Sequence, residues 1–140
     1  MTDIADRLAI QDLLVRYATA LDNRDWVLLG SVFTPEAQVQ YPGSPHLDGF
    51  VAARDFCDRA LSRFRVTQHL LGNYDIRVNG DTAAATCSLQ AIHVHPDEAG
   101  GGIYTLWGTY TDRLARTSEG WRITERTLTS SHTAASPGPG

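Results

Sequence analysis

The sequence predicts an α+β domain in which a curved antiparallel sheet packs against three N-terminal helices. Apolar residues recur at helical spacing in the opening part of the chain and at alternate positions from Val66 onward. The switch happens once, so helices and strands are segregated rather than interleaved. The strands are long enough to need bending, and Gly72 and Gly108 offer places for it. A helical layer on one side of such a sheet leaves a pocket between the layers.

The elements follow in order. Thr2 or Asp3 can cap a first helix, whose apolar positions Ile4, Leu8, Leu13, Leu14, Tyr17, Ala18 and Leu21 run up to Asp22. Asn23-Arg24-Asp25 interrupts that pattern. Asp25 caps a short second helix, Trp26 to Val32, and Thr34-Pro35 ends it because the residue before proline disfavours helical backbone. Residues 37–41 alternate as a short strand, Pro42-Gly43-Ser44-Pro45 is a loop, and Asp48 opens a third helix carrying Phe50, Val51, Ala53, Phe56 and Leu61. Four strands follow. The first spans residues 67–78 with a bend at Gly72-Asn73, and Asn79-Gly80 is a two-residue hairpin turn. The others span residues 82–95, 103–116 and 121–131. One domain is expected over residues 1–132, with residues 133–140 as a disordered tail.

Composition narrows the function. Hydrophobic residues make up 42% and charged residues 20%, ordinary values for a chain with a buried core. The net charge is −4, every basic side chain is arginine, and no basic run exists, which argues against nucleic acid or an anionic membrane as partner. The opening MTDIADRLAI does not read as a signal peptide, and no apolar stretch approaches the roughly 20 residues of a membrane span, so a cytoplasmic location is expected. Cys57 and Cys87 read as reduced buried thiols rather than a disulfide framework. There is no GxGxxG, P-loop or GxSxG, hence no case for a nucleotide or flavin, and no cofactor is expected.

Several segments resemble SnoaL-like proteins of the nuclear-transport-factor-2-like superfamily. These are LLVRYATALDNRDWVLLGSVFTPEAQVQYPG, TQHLLGN and WGTYTDRLARTSEGWRITER, and the likeness covers roughly residues 4–130. The resemblance implies a cone-like fold with a deep pocket, often dimerising through its sheet into a homodimer or higher homo-oligomer. The nearest motifs are those of the branch holding scytalone dehydratase, polyketide cyclases and a bile-acid dehydratase. On that resemblance the catalytic aspartate falls on Asp22, the first catalytic histidine on His69, the second on His93, and a substrate-contacting tyrosine on Tyr41. Leu21 stands where that enzyme has a tyrosine before its aspartate. Ketosteroid isomerase matches only through its oxyanion tyrosine, at Tyr17; its general base falls on Tyr41 and its second aspartate near Gly108, so its standard reaction is not implied.

Asp22 and His69 also stand out without that likeness. A carboxylate at a helix C-terminus opposes the helix dipole and calls for a partner. An aspartate bonded to one imidazole nitrogen fixes the tautomer and makes the other nitrogen the better base, a pair able to remove and return a proton. His93 and His95 share one strand face with Cys87, Leu89 and Ala91. Their spacing also suits a metal, but no further Cys, His or Glu cluster supports one. Tyr17 and Tyr41 can donate to a substrate carbonyl. Trp26, Phe33, Phe56, Leu71, Trp107 and Tyr110 are expected to wall the substrate pocket. His46 and His132 are read as solvated. The expected activity is a cofactor-free dehydratase or cyclase acting on a small polyketide-like hydroxy-ketone. The alternatives are an isomerase of the same fold, a non-catalytic small-molecule-binding protein, or an interaction module whose pocket its own side chains fill.

Overall fold

The computed structural model describes residues 2–139. The elements are α1 (Thr2–Asn23), α2 (Trp26–Gly30), β1 (Phe33–Gln40), β2 (Leu47–Asp48), α3 (Phe50–Ser62), β3 (Val66–Asn79), β4 (Thr82–Val94), a 3-10 turn (Asp97–Ala99), β5 (Ile103–Thr117) and β6 (Gly120–Ser136). Six strands form one curved, unclosed sheet in the order β2-β1-β6-β5-β4-β3. The α+β class, the three helices and the antiparallel run β3–β6 are as the sequence predicts.

The differences have local causes. The sheet is mixed, because β1 runs parallel to β6. β1 begins at Phe33 and includes Pro35, which a register break between Phe33 and Gln38 accommodates. Asp48 lies in β2 rather than at the start of α3, whose N-cap is Gly49 at φ 97°, a backbone region that favours glycine. β6 continues through residues 133–136, expected to be loose, because they pair with the first residues of β5, such as Tyr104 with Ala135. The bend at Gly72-Asn73 is a bulge with Asn73 at φ 51°. Gly108 marks a second register shift; a Cβ there would lie 2.5 Å from the Thr129 carbonyl oxygen, so β5 and β6 approach this closely only with glycine.

Asp25 caps α2 as expected, accepting from the Leu28 amide at 2.9 Å. In α1 the buried stripe is Ile10, Leu13, Leu14, Tyr17, Ala18 and Leu21, whereas Ile4 and Leu8 are exposed. Asp6 faces inward in their place, bound by both terminal nitrogens of Arg116 and by the Trp121 indole. These donors hold its carboxyl well below the usual range, at about 2. The Thr2 side chain expected as a cap lies outside what the structure describes, and Asp3 sits in the first turn. Cys57 and Cys87 are free and buried. The core between α1, α3 and the concave sheet face stops short of filling the space around Tyr41, Phe56 and His69.

Candidate active site

The cavity there has a volume of about 210 Å³. α1 contributes Tyr17 and Leu21, the residue after β1 is Tyr41, α3 contributes Phe56 and Cys57, β3 His69, β4 His93, and β5 Tyr110. Its walls are mainly apolar, so electrostatic contacts inside are strengthened.

Asp22 lies in the last turn of α1, against the first half of β3. Its Oδ1 is 2.6 Å from His69 Nδ1, and its Oδ2 accepts the His69 backbone N–H at 2.9 Å. A carboxylate accepts, so Nδ1 carries the hydrogen, and in the neutral ring the lone pair is on Nε2. The Thr67 hydroxyl also donates to Oδ1, at 3.1 Å. The His69 side chain is 6% exposed, and that of Asp22 22%. The structure therefore brings together Asp22 and His69, the pair expected from the sequence.

His93 stands on the neighbouring strand, opposite Thr67 in register, with its ring centroid 5.9 Å from that of His69. Its Nδ1 donates to the Tyr104 carbonyl at 3.0 Å, leaving Nε2 as an acceptor. Burial, with a smaller push from His69, lowers its pKa from 6.5 against the pull of the Tyr104 bond and of Asp22. The unfolded chain therefore takes up this proton at a higher pH than the folded one. Its contribution to stability is full above pH 6.5 and is lost as the pH falls from there toward the lower folded value. The melting temperature should drop from about pH 7.5 to about 5.5, and drop less in His93→Gln. A scan in which both proteins fall equally would remove His93 as the cause.

Tyr17 and Tyr41 approach with their hydroxyl oxygens 2.6 Å apart, and Cys57 Sγ donates to Tyr41 at 3.3 Å. Burial pushes both phenols well above their ordinary range, so both stay protonated. The two share one hydrogen bond, which leaves one hydroxyl hydrogen for an acceptor in the cavity.

Of the expected apolar walls, Phe56 and Tyr110 line the cavity, and Trp26, Phe33, Leu71 and Trp107 do not. Phe33 packs edge-on against Tyr17 within the core, and Trp107 stacks with His132 at a centroid distance of 5.4 Å. Tyr110 sits on the concave face and Trp107, three residues earlier on β5, on the other. Behind Tyr17 and Tyr110 lies a residue the sequence analysis did not single out. Arg126 is 1% exposed, pairs with Asp112 through Nε and Nη2 at 2.7 Å each, and lies 4.1 and 3.9 Å from the two ring centroids. Burial opposes its charge, and Asp112 and the tyrosines sustain it above the ordinary range. Its Nη1 has no hydrogen-bond partner.

A SnoaL-like domain model matches residues 2–127. The chain belongs to the SnoaL-like domain family. Among curated relatives of this SnoaL-like protein is the uncharacterized protein Rv2910c of Mycobacterium tuberculosis, 37% identical over 131 residues, which are 92% of this chain and 88% of the relative. A solved structure of a proposed aromatic ring hydroxylase from Novosphingobium aromaticivorans is 30% identical, with a TM-score of 0.86 and coverage of 95% and 94% of the two chains. A proposed scytalone dehydratase from the same organism is 23% identical, with a TM-score of 0.84 and coverage of 99% and 97%. The hexachlorocyclohexane dehydrochlorinase LinA-type3 of Novosphingobium barchaimii is 19% identical, with a TM-score of 0.86 and coverage of 98% and 94%. The last two likenesses are of fold. The same fold is found in a nuclear-transport-factor-2-like protein of Salmonella enterica. No helix among the described residues is long and apolar enough to cross a membrane.

Proposed function

We propose that this SnoaL-like protein is a cofactor-free dehydratase or cyclase that begins by removing the proton beside the carbonyl of a small cyclic hydroxy-ketone. The observation that carries this reading is the 2.6 Å contact of Asp22 with His69 on the wall of an apolar cavity. His69 Nε2 takes the proton, and Asp22 holds the ring orientation and stabilises the imidazolium. The leftover hydroxyl hydrogen of the Tyr17–Tyr41 pair meets the enolate oxygen. In dehydration the electrons of the broken C–H bond form the new C=C bond as the C–O bond breaks. His69 then returns the proton to the departing hydroxyl, giving water and restoring the neutral ring. In ring closure the same carbanion attacks a second carbonyl carbon instead, the C=O π pair moves onto its oxygen, and His69 gives that alkoxide the proton. His93 serves as acceptor for the hydroxyl hydrogen of the substrate, because its Nδ1 is committed to Tyr104.

Two further points support the reading. The cavity is smaller than the roughly 300–1,000 Å³ typical of drug-sized ligands, which suits a substrate of one or two rings. The dehydratase and dehydrochlorinase names among the fold neighbours both denote loss of a proton and a leaving group.

The test is incubation in D₂O with a panel of one- and two-ring β-hydroxy-ketones. The wild type should exchange the α-hydrogen and release the enone or a cyclised product, and Asp22→Asn should be strongly impaired. If wild type and Asp22→Asn bind equally well and neither exchanges nor converts any member, the protein is a binder only. We also propose a homodimer, formed through the outer sheet face, where Ala84, Thr86, Ser88 and Gln90 of β4 are exposed and uncharged. Sedimentation should give a dimer that Ser88→Arg weakens; a monomer at all concentrations would overturn this.

A further inference from the structure

Asp22 occupies a position where the carbonyls of its own helix make a negative charge unwelcome. A set of donors beyond His69 offsets this. Thr67 is buried on β3 two residues before His69, so its side chain emerges on the same face. Its hydroxyl donates to the Asp22 oxygen that also takes the His69 Nδ1 hydrogen. Arg24 Nη1 in turn donates to Thr67 Oγ1 at 2.9 Å. A hydroxyl carries one hydrogen, and a guanidinium can only donate. Once Thr67 accepts from Arg24, its own hydrogen is left to point at Asp22.

Arg24 is held as firmly as the groups it orients. Its backbone lies in the left-handed region at φ 54°, a conformation that glycine or asparagine adopts more readily. From there Nη1 also reaches the Leu21 carbonyl at 2.6 Å and Nη2 the Leu61 carbonyl at 3.1 Å. Those carbonyls belong to the last turns of α1 and α3, so the cation sits where the negative ends of two helices converge. Burial lowers the pKa of Arg24 from its ordinary value, against the pull of the nearby Asp22 and Asp58 carboxylates.

We infer that Arg24 and Thr67 are positioning residues for the Asp22–His69 pair, setting the direction and the strength with which the carboxylate holds the imidazole. The inference rests on the reading of that pair as the acid–base centre. Arg24 fixes the Thr67 hydroxyl, Thr67 fixes the carboxylate, and the carboxylate meets Nδ1 in one geometry. The donors also share the negative charge of Asp22, which moderates its pull on the Nδ1 hydrogen. Removing them leaves a stronger acceptor facing the ring, not a weaker one.

That sign makes the inference testable without a substrate. In proton NMR of the full chain, an imidazole N–H bonded to a carboxylate resonates downfield of the amides. Asp22→Asn should abolish this signal or return it upfield. Thr67→Val, nearly the same shape, should move it further downfield with the amide spectrum retained, as should Arg24→Gln, and Thr67→Ser should restore the wild-type position. A signal that stays put in Thr67→Val, or disappears while the chain remains folded, overturns the inference, since a merely structural residue would loosen the pair. A signal indifferent to Asp22→Asn would instead sink the pair itself, and the inference with it.

Discussion

Replacing His69 by alanine is expected to lower the rate of α-hydrogen exchange and of product formation by about 100-fold or more. The site offers no substitute base in the right place. Asp22 is occupied by the His69 backbone N–H and the Thr67 hydroxyl, and Tyr17 and Tyr41 stay protonated. His93 retains a lone pair but belongs to another strand, and its ring is held by Tyr104. The Asp22→Asn variant is expected to fall by a similar order, because an amide in that place can leave the imidazole in the wrong tautomer. The measurement is turnover on any panel member the wild type converts, with the melting temperature recorded alongside. Near-normal turnover by a folded His69→Ala protein would remove His69 as the base and the proposed reaction with it.

The fold was legible in the sequence because one change of hydrophobic period divides the chain, and strand alternation then assigns most side chains to a face. The pairing of Asp22 with His69 was legible as an expectation because a carboxylate at a helix end needs a partner and a histidine lies early in the following sheet. Alternation fails where strands bulge. β6 shifts register between its pairings of Glu125 with Arg113 and of Ile123 with Leu114. Strict alternation from Trp121 and Ile123 would turn Glu125 inward and Arg126 outward; the bulge reverses this, and the arginine becomes the buried one. Asp112, two residues beyond Tyr110 on the same strand face, was the available clue. Arg24 and Thr67 escaped for another reason. Their role depends on the approach of α1, α3 and β3 in space, and neither residue type is distinctive in a turn or a strand. Trp107 lies outside the cavity because aromatic character does not set the face of a strand residue, and its odd spacing from Tyr110 turns it to the other side of β5.

The Arg126–Asp112 pair carries the largest expected effect on stability. Both side chains are fully buried and bonded through two contacts of 2.7 Å. Truncating Asp112 to alanine leaves a guanidinium in the core between two tyrosine rings, with Nε and Nη2 now as unsatisfied as Nη1. Breaking a buried pair in this way costs about 3–5 kcal/mol, against a total stability of roughly 5–15 kcal/mol for a domain. Asp112→Ala should therefore lose a large part of its resistance to urea or fail to fold. Replacing both residues by apolar ones of similar volume, such as Asp112→Leu with Arg126→Met, should recover much of the loss, because the cost lies in the stranded charge rather than in the absent bond. Equilibrium unfolding of the two proteins decides the matter. A double variant as unstable as the single one would show that the cation itself, lying against the faces of Tyr17 and Tyr110, holds the back of the cavity together. The pair would then be maintained for the site as well as for the fold, since the same two rings face the space where a substrate would lie.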